Sequence, residues 1–119
     1  MEYITTKTQI SNMYKKGYNF ERKIKLELES QGWKVIRSGG SKKPDMVAAR
    51  DGKIIIIECK ITKSKKVYLE TDEVEKLKEV AGHFKAECMY AVQRIRESWS
   101  LVPLDSLRKT DKGYVFDFD

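Results

Sequence analysis

The dipeptide Asp51-Gly52 stands between two runs of strand-forming residues, Met46–Arg50 and Lys53–Lys60. Asp-Gly suits the two-residue type I′ loop, whose central residues both need positive φ, so the two runs read as antiparallel partners whose register the turn sets. Pairing Arg50 with Lys53 puts Ala49 opposite Ile54, Ala48 opposite Ile55, Val47 opposite Ile56, Met46 opposite Ile57 and Asp45 opposite Glu58. Two carboxylates then face each other, about 4.5–5.5 Å apart at Cβ, an arrangement that repels unless a cation lies between them. Lys60, two residues beyond Glu58, projects on the same face of its strand, and Cys59 points the other way. Asp45, Glu58 and Lys60 are thereby expected at one point in space.

The simplest cation for such a place is a divalent metal. Two carboxylates offer hard oxygen ligands that suit Mg²⁺, with Mn²⁺ able to substitute, in an open site that keeps waters and shares the metal with substrate phosphate. A water on such a metal is more acidic than bulk water, and the metal stabilises charge that develops at a phosphate during in-line displacement. Lys60 is placed to orient or help deprotonate that water. Each residue alone has an ordinary reading: Asp45 opens a strand after Pro44, and Glu58 and Lys60 are a solvated strand end. Their combination across one hairpin points to catalysis.

Pro44-Asp45 followed by Glu58-Cys59-Lys60 resembles the Pro-Asp…(Asp/Glu)-x-Lys signature of the restriction-endonuclease-like nucleases. The surrounding residues are more specific. Lys16-Gly17-x-x-x-Glu21-Arg22, Gly32-Trp33-x-Val35-x-Arg37, Ser41-x-x-Pro44-Asp45-x-Val47-Ala48 and Glu58-x-Lys60 follow in the order seen in archaeal-type Holliday junction resolvases, a similarity spanning about residues 15–105. The resemblance implies an α/β fold with a restriction-endonuclease-like mixed central β-sheet flanked by helices. It also implies a homodimer acting on four-way DNA junctions, and five site residues: Glu21, Ser41, Asp45, Glu58 and Lys60. Of these, Glu21, Asp45 and Glu58 are the implied metal ligands. Ser38 is a second candidate for the loop serine, and the spacing after Arg37 favours Ser41.

Periodicity bears on Glu21 independently. Glu21, Ile24 and Leu28 lie at i, i+3 and i+7 on one stripe of a helix predicted over Lys16–Gln31, with Gly32 as the residue that ends it. A carboxylate on a packed stripe needs a partner, either a metal or a charged group such as Arg22. The segment from Ser38 to Lys43 is a Gly-Ser-Lys loop that leads into Pro44-Asp45, where two glycines and two lysines permit close approach to phosphate.

Net charge is +6, and it is concentrated: residues 1–66 hold sixteen Lys or Arg against seven acids, and residues 67–119 hold eight against eleven. The basic half contains the proposed site, as a phosphodiester substrate requires. Lys15, Lys16, Arg22, Arg37, Lys42, Lys43, Lys63, Lys65 and Lys66 are the candidate DNA contacts, with Arg94 and Arg96 as further ones. No apolar run approaches the length of a membrane span, and Met1–Ser11 lacks the apolar core of a secretory signal, so an intracellular protein that does not contact a membrane is expected. Cys59 and Cys88 read as buried thiols, and His83 as a residue near a helix C-terminus.

At 119 residues the chain is expected to form a single nuclease domain, in which Met1–Tyr14 is polar enough for a mobile arm. Strands are predicted at Trp33–Arg37, Glu87–Gln93 and Ser98–Val102, and Ile61–Lys66 as a basic loop. A second helix is expected to be capped by Thr71 or Asp72, with Glu75 completing the box and Val74, Leu77, Ala81 and Phe84 forming its apolar stripe. The order α-β-β-β-α-β-β suits a mixed sheet flanked by helices. Two further readings compete with a resolvase. One is a related nuclease acting on other DNA, of repair or restriction type. The other is a DNA-binding protein of this fold without chemistry, which would gain nothing from carboxylates that repel phosphate.

Overall fold

The computed structural model describes residues 16–39 and 43–118. Its organising element is the hairpin of β2 (Met46–Arg50) and β3 (Lys53–Thr62), joined through Asp51 at φ 51° and Gly52 at φ 81°. The register runs from Arg50 opposite Lys53 to Met46 opposite Ile57, as the turn chemistry predicts. β1 (Lys34–Arg37) adds to the free edge of β2. β5 (Glu87–Arg94) lies parallel to β3, and β6 (Trp99–Pro103) closes the far edge. The result is a mixed five-stranded sheet in the order β1-β2-β3-β5-β6.

β3 is central and apolar on both faces, so each face must be covered. Ile55 and Ile57 join Met46, Ala48, Met89, Ala91 and Leu101 under α1 (Lys16–Ser30), which contributes Phe20, Ile24 and Leu28. Ile56, Tyr90 and Val92 face the other way, under α2 (Thr71–Phe84) with its Val74, Leu77 and Ala81. A second, three-stranded sheet completes that layer: β4 (Lys66–Glu70), β8 (Gly113–Asp117) and β7 (Arg108–Thr110), in the order β4-β8-β7. Gly32 ends α1 at φ 94°, with the Trp33 N–H donating to the Leu28 carbonyl.

Four expectations need correction. Ile61–Lys66 is not a loop: β3 runs on to Thr62 because Ile61 packs on the α1-side core, and β4 starts at Lys66 because Val67 and Leu69 alternate inward. The N-cap of α2 is Glu70, whose side chain makes no capping hydrogen bond, rather than Thr71 or Asp72. β4 passes directly into the helix there, and the Thr71 hydroxyl turns to the Lys112 carbonyl. Phe84 is half exposed instead of core, since Lys85 takes the left-handed conformation immediately after it and the stripe ends. Finally, the first strand begins at Lys34, because the Trp33 amide is used to close α1. Met1–Tyr14 lies outside the described residues. Among the described residues, no helix is long and apolar enough to cross a membrane.

Candidate active site

The site forms where β2 and β3 leave their shared ladder. Pro44 precedes β2, so Asp45 stands one residue beyond Met46, on the side opposite its core-facing side chain. The Asp45 amide donates to Glu58 Oε1 at 3.2 Å, and Asp45 Oδ2 accepts the Cys59 N–H at 2.8 Å. Each carboxylate is therefore held by the other strand's segment, and the two opposed acids of the predicted register do converge. Glu58 is only 2% exposed, and its second oxygen is paired with the Lys43 ammonium. Burial, which leads, and the Asp45 charge push the Glu58 carboxyl above its ordinary range, while Lys43 pulls it back. The cation that two facing carboxylates call for is thus, in this structure, a lysine.

Lys60 projects on the Glu58 face of β3, where its Nζ lies 2.6 Å from Glu73 Oε2 of α2. Lys43 Nζ is 3.8 Å from the same oxygen. Glu73 was not among the sequence candidates. The signal was there: it stands four residues before Leu77 and eight before Ala81, on the stripe that packs against the sheet.

Glu21 stands on the other side of the strand end. It is half-buried on α1, and its partner is Arg37 at the end of β1, with Nη2 to Oε1 2.9 Å, rather than the exposed neighbour Arg22. The Cys59 thiol is pushed well above its ordinary range by burial first, then by the charges of Asp45, Glu21 and Glu58, with Arg37 opposing. The charges of all three acids thus reach Cys59, although among the described residues no three acids, histidines or cysteines are gathered closely enough to form a ready metal cage. Cys88, also free, is pushed up to about 12 by burial. Both thiols are inert in this setting.

Of the candidate DNA contacts, Lys63 and Lys65 are exposed in the β3–β4 turn, and Arg22 is exposed on α1. Lys66 pairs with Asp117 at 3.3 Å and Arg94 with Glu97 at 3.3 Å, while Arg96 is exposed in the β5–β6 turn. The Ser38 amide donates to the Asp45 carbonyl, which extends the β1–β2 ladder to the site. Ser41, Lys15 and Lys42 lie outside the described residues, and Lys16 begins α1.

A family model for archaeal Holliday junction resolvase (Hjc) matches residues 12–119. The crossover junction endodeoxyribonuclease Hjc of Methanocaldococcus jannaschii is 38% identical over 104 residues, covering 87% of this chain and 77% of its own length. That of Archaeoglobus fulgidus is 36% identical over 110 residues, covering 88% and 81%. The solved structure of Archaeoglobus fulgidus Hjc, a Holliday junction resolvase, superposes with a TM-score of 0.78 at 35% identity, over 85% of this chain and 88% of that one. The mixed sheet between its helices thus belongs to a known architecture. This chain is a member of the archaeal Holliday junction resolvase (Hjc) family.

Proposed function

We propose that this chain is a Mg²⁺-dependent crossover junction endodeoxyribonuclease, which resolves four-way DNA junctions by paired, symmetric nicks. The observation that carries the reading is the meeting of Asp45 and Glu58 at the end of the β2–β3 hairpin, in a chain of the resolvase family. The donor set fits a hard divalent cation. Both acids offer carboxylate oxygens, and a positively charged group already sits against Glu58. Asp45 and Glu58 would hold Mg²⁺ or Mn²⁺, with Glu21 joining from α1 on release from Arg37. When bound, the metal supplies an acidified water and stabilises charge on the scissile phosphate.

The chain's own residues supply the rest. The Cys59 N–H fixes the Asp45 carboxylate, and the Asp45 amide fixes Glu58, so both acids are oriented before substrate arrives. Lys60, as an ammonium, orients the attacking water and by its positive charge favours loss of that water's proton to solvent. Lys43, half exposed, must leave Glu58 for a cation to bind there and then faces the phosphate. Ser41 joins the catalytic set from the loop before Pro44, and Lys15, Lys16 and Lys42 act with Arg22, Lys63 and Lys65 in gripping the DNA backbone, which steers a branched polyanion onto the basic half of the protein. A junction is resolved in two strands, so the active form is a homodimer whose two sites are related by a two-fold axis. Asp45→Ala tests the reading: cleavage of a four-way junction in Mg²⁺ is lost while junction binding is kept or tightened, because a carboxylate that repels phosphate is removed. Full activity in Asp45→Ala would overturn it.

A further inference from the structure

Glu73 is a carboxylate on the sheet-facing stripe of α2, in the helix's first turn. Such a position ordinarily takes an apolar residue, as Val74, Leu77 and Ala81 beside it do. Its side chain is 18% exposed, and Oε2 is buried without an aligned hydrogen bond among the described residues. An acid in that setting is costly unless a cation answers it. The answering cation is Lys60, 2.6 Å away, with Lys43 behind it at 3.8 Å. Beneath them the Tyr90 hydroxyl, on the residue opposite Glu58 in the β3–β5 register, is buried and also lacks a hydrogen-bond partner among the described residues. Glu58, on the same face of β3, also feels the Lys60 charge, but its own close partner is Lys43, and the short contact of the Lys60 ammonium is with Glu73.

We infer that Glu73 is a positioning residue for junction cleavage: its carboxylate anchors the Lys60 ammonium at the strand end, so that the lysine is aimed before DNA and metal arrive. The inference rests on the nuclease reading of the site. A lysine has a long, freely rotating stem, and Lys60, which must act at one atom, is held here by a group on a different element. The arrangement also explains why β4 runs into α2 without a loop, since the direct join brings the first helical turn over the end of β3.

The test is a double-mutant cycle in single-turnover cleavage of a labelled four-way junction. Glu73→Ala is expected to cut about ten-fold or more slowly than wild type, a loss of the size expected when a proton-handling group is misplaced, with metal-free junction binding not weakened. In a Lys60→Gln background, adding Glu73→Ala is expected to change the rate by less than about two-fold, because the residue acts only through Lys60. A purely structural role would instead slow both backgrounds equally. Glu73→Gln preserves shape and guards against misfolding. In metal-free protein, ¹⁵N spectra of the lysine ammonium groups read the contact directly: the Lys60 signal is ordered in wild type and becomes mobile and fast-exchanging in Glu73→Gln. Wild-type rates in Glu73→Ala, multiplying effects in the double mutant, or a Lys60 ammonium indifferent to Glu73→Gln would each overturn the inference. A wild type that leaves junctions intact yet keeps the Glu73-dependent ammonium signal would overturn the nuclease reading alone and support the contact.

Discussion

Glu58→Gln is expected to make the metal-free protein more stable while it destroys activity. Glu58 is 2% exposed and accepts from the Asp45 amide and the Lys43 ammonium. Glutamine has the same shape and keeps a carbonyl for the Asp45 N–H, so only the Lys43 contact is lost. A hydrogen bond to a charged group contributes about 1.5–3 kcal/mol. Burying a carboxylate costs several kcal/mol, and Lys43, being half exposed, returns to water without penalty. The upward shift of the Glu58 carboxyl, led by burial, says which side wins: folding penalises its charged form. Its folded pKa lies above the ordinary 4.5, so wild-type stability falls as pH rises from 4.5 through the folded value, and the penalty is fully present above that value. The gain for Glu58→Gln is about 1 kcal/mol, which raises Tm by about 4 °C in a domain of this size. Thermal melts in chelator, repeated with Mg²⁺, read both halves of the claim. At a hundred times its Kd, Mg²⁺ adds about 2.7 kcal/mol to wild type and little to the variant, so the order reverses. A variant that melts several degrees below wild type in chelator would refute the reasoning and make the Lys43–Glu58 pair a structural brace.

Lys60→Ala should reduce single-turnover cleavage by about a hundred-fold or more, as expected for a group that handles the proton of the attacking water, with junction affinity nearly unchanged; cleavage at the wild-type rate would place the catalytic lysine elsewhere. Glu21→Gln should lower cleavage while shifting Tm by less than about 5 °C, because its Arg37 pair is partly exposed and contributes about 1 kcal/mol or less. Normal specific activity with a large fall in Tm would make Glu21 structural. Ser41→Ala should slow cleavage more than Ser38→Ala, and the reverse order in the same assay would assign the loop serine to Ser38.

Much of the site could be read from the sequence because it rests on local chemistry. Asp51-Gly52 needs two positive φ values, and one turn type then fixes five pairs of residues and the meeting of Asp45 with Glu58. Alternation placed Lys60 on the face of Glu58 and turned Cys59 to the other face, which the structure packs on the α1-side core. What escaped depends on contacts between distant segments. Arg37 as the partner of Glu21 lies sixteen residues away on another element. Glu73 reaches Lys60 only because β4 delivers α2 to that end of the sheet. β4 itself has just two inward residues, Val67 and Leu69, after a run of lysines, so its alternation was short and masked by charge. β7, Arg108–Thr110, is wholly polar and gains strand form only by pairing with β8. The N-cap of α2 was misassigned for a related reason: Thr71 and Asp72 have capping chemistry, but a strand running straight into the helix leaves the cap position to Glu70.

The central claim is that two copies of this chain, each carrying the Asp45–Glu58–Lys60 site, act together on a branched DNA. On the proposed function, selectivity comes from two basic faces meeting the phosphates of a junction at a fixed angle. The direct measurement is strand-by-strand mapping of cuts in a four-way junction, beside a linear duplex of equal length, with the assembly state followed in the same buffer. The account predicts a homodimer that nicks two opposed strands at symmetry-related positions in Mg²⁺, leaves the duplex intact, and loses affinity steeply as salt rises. A monomer that cuts linear duplex as readily as the junction would contradict it.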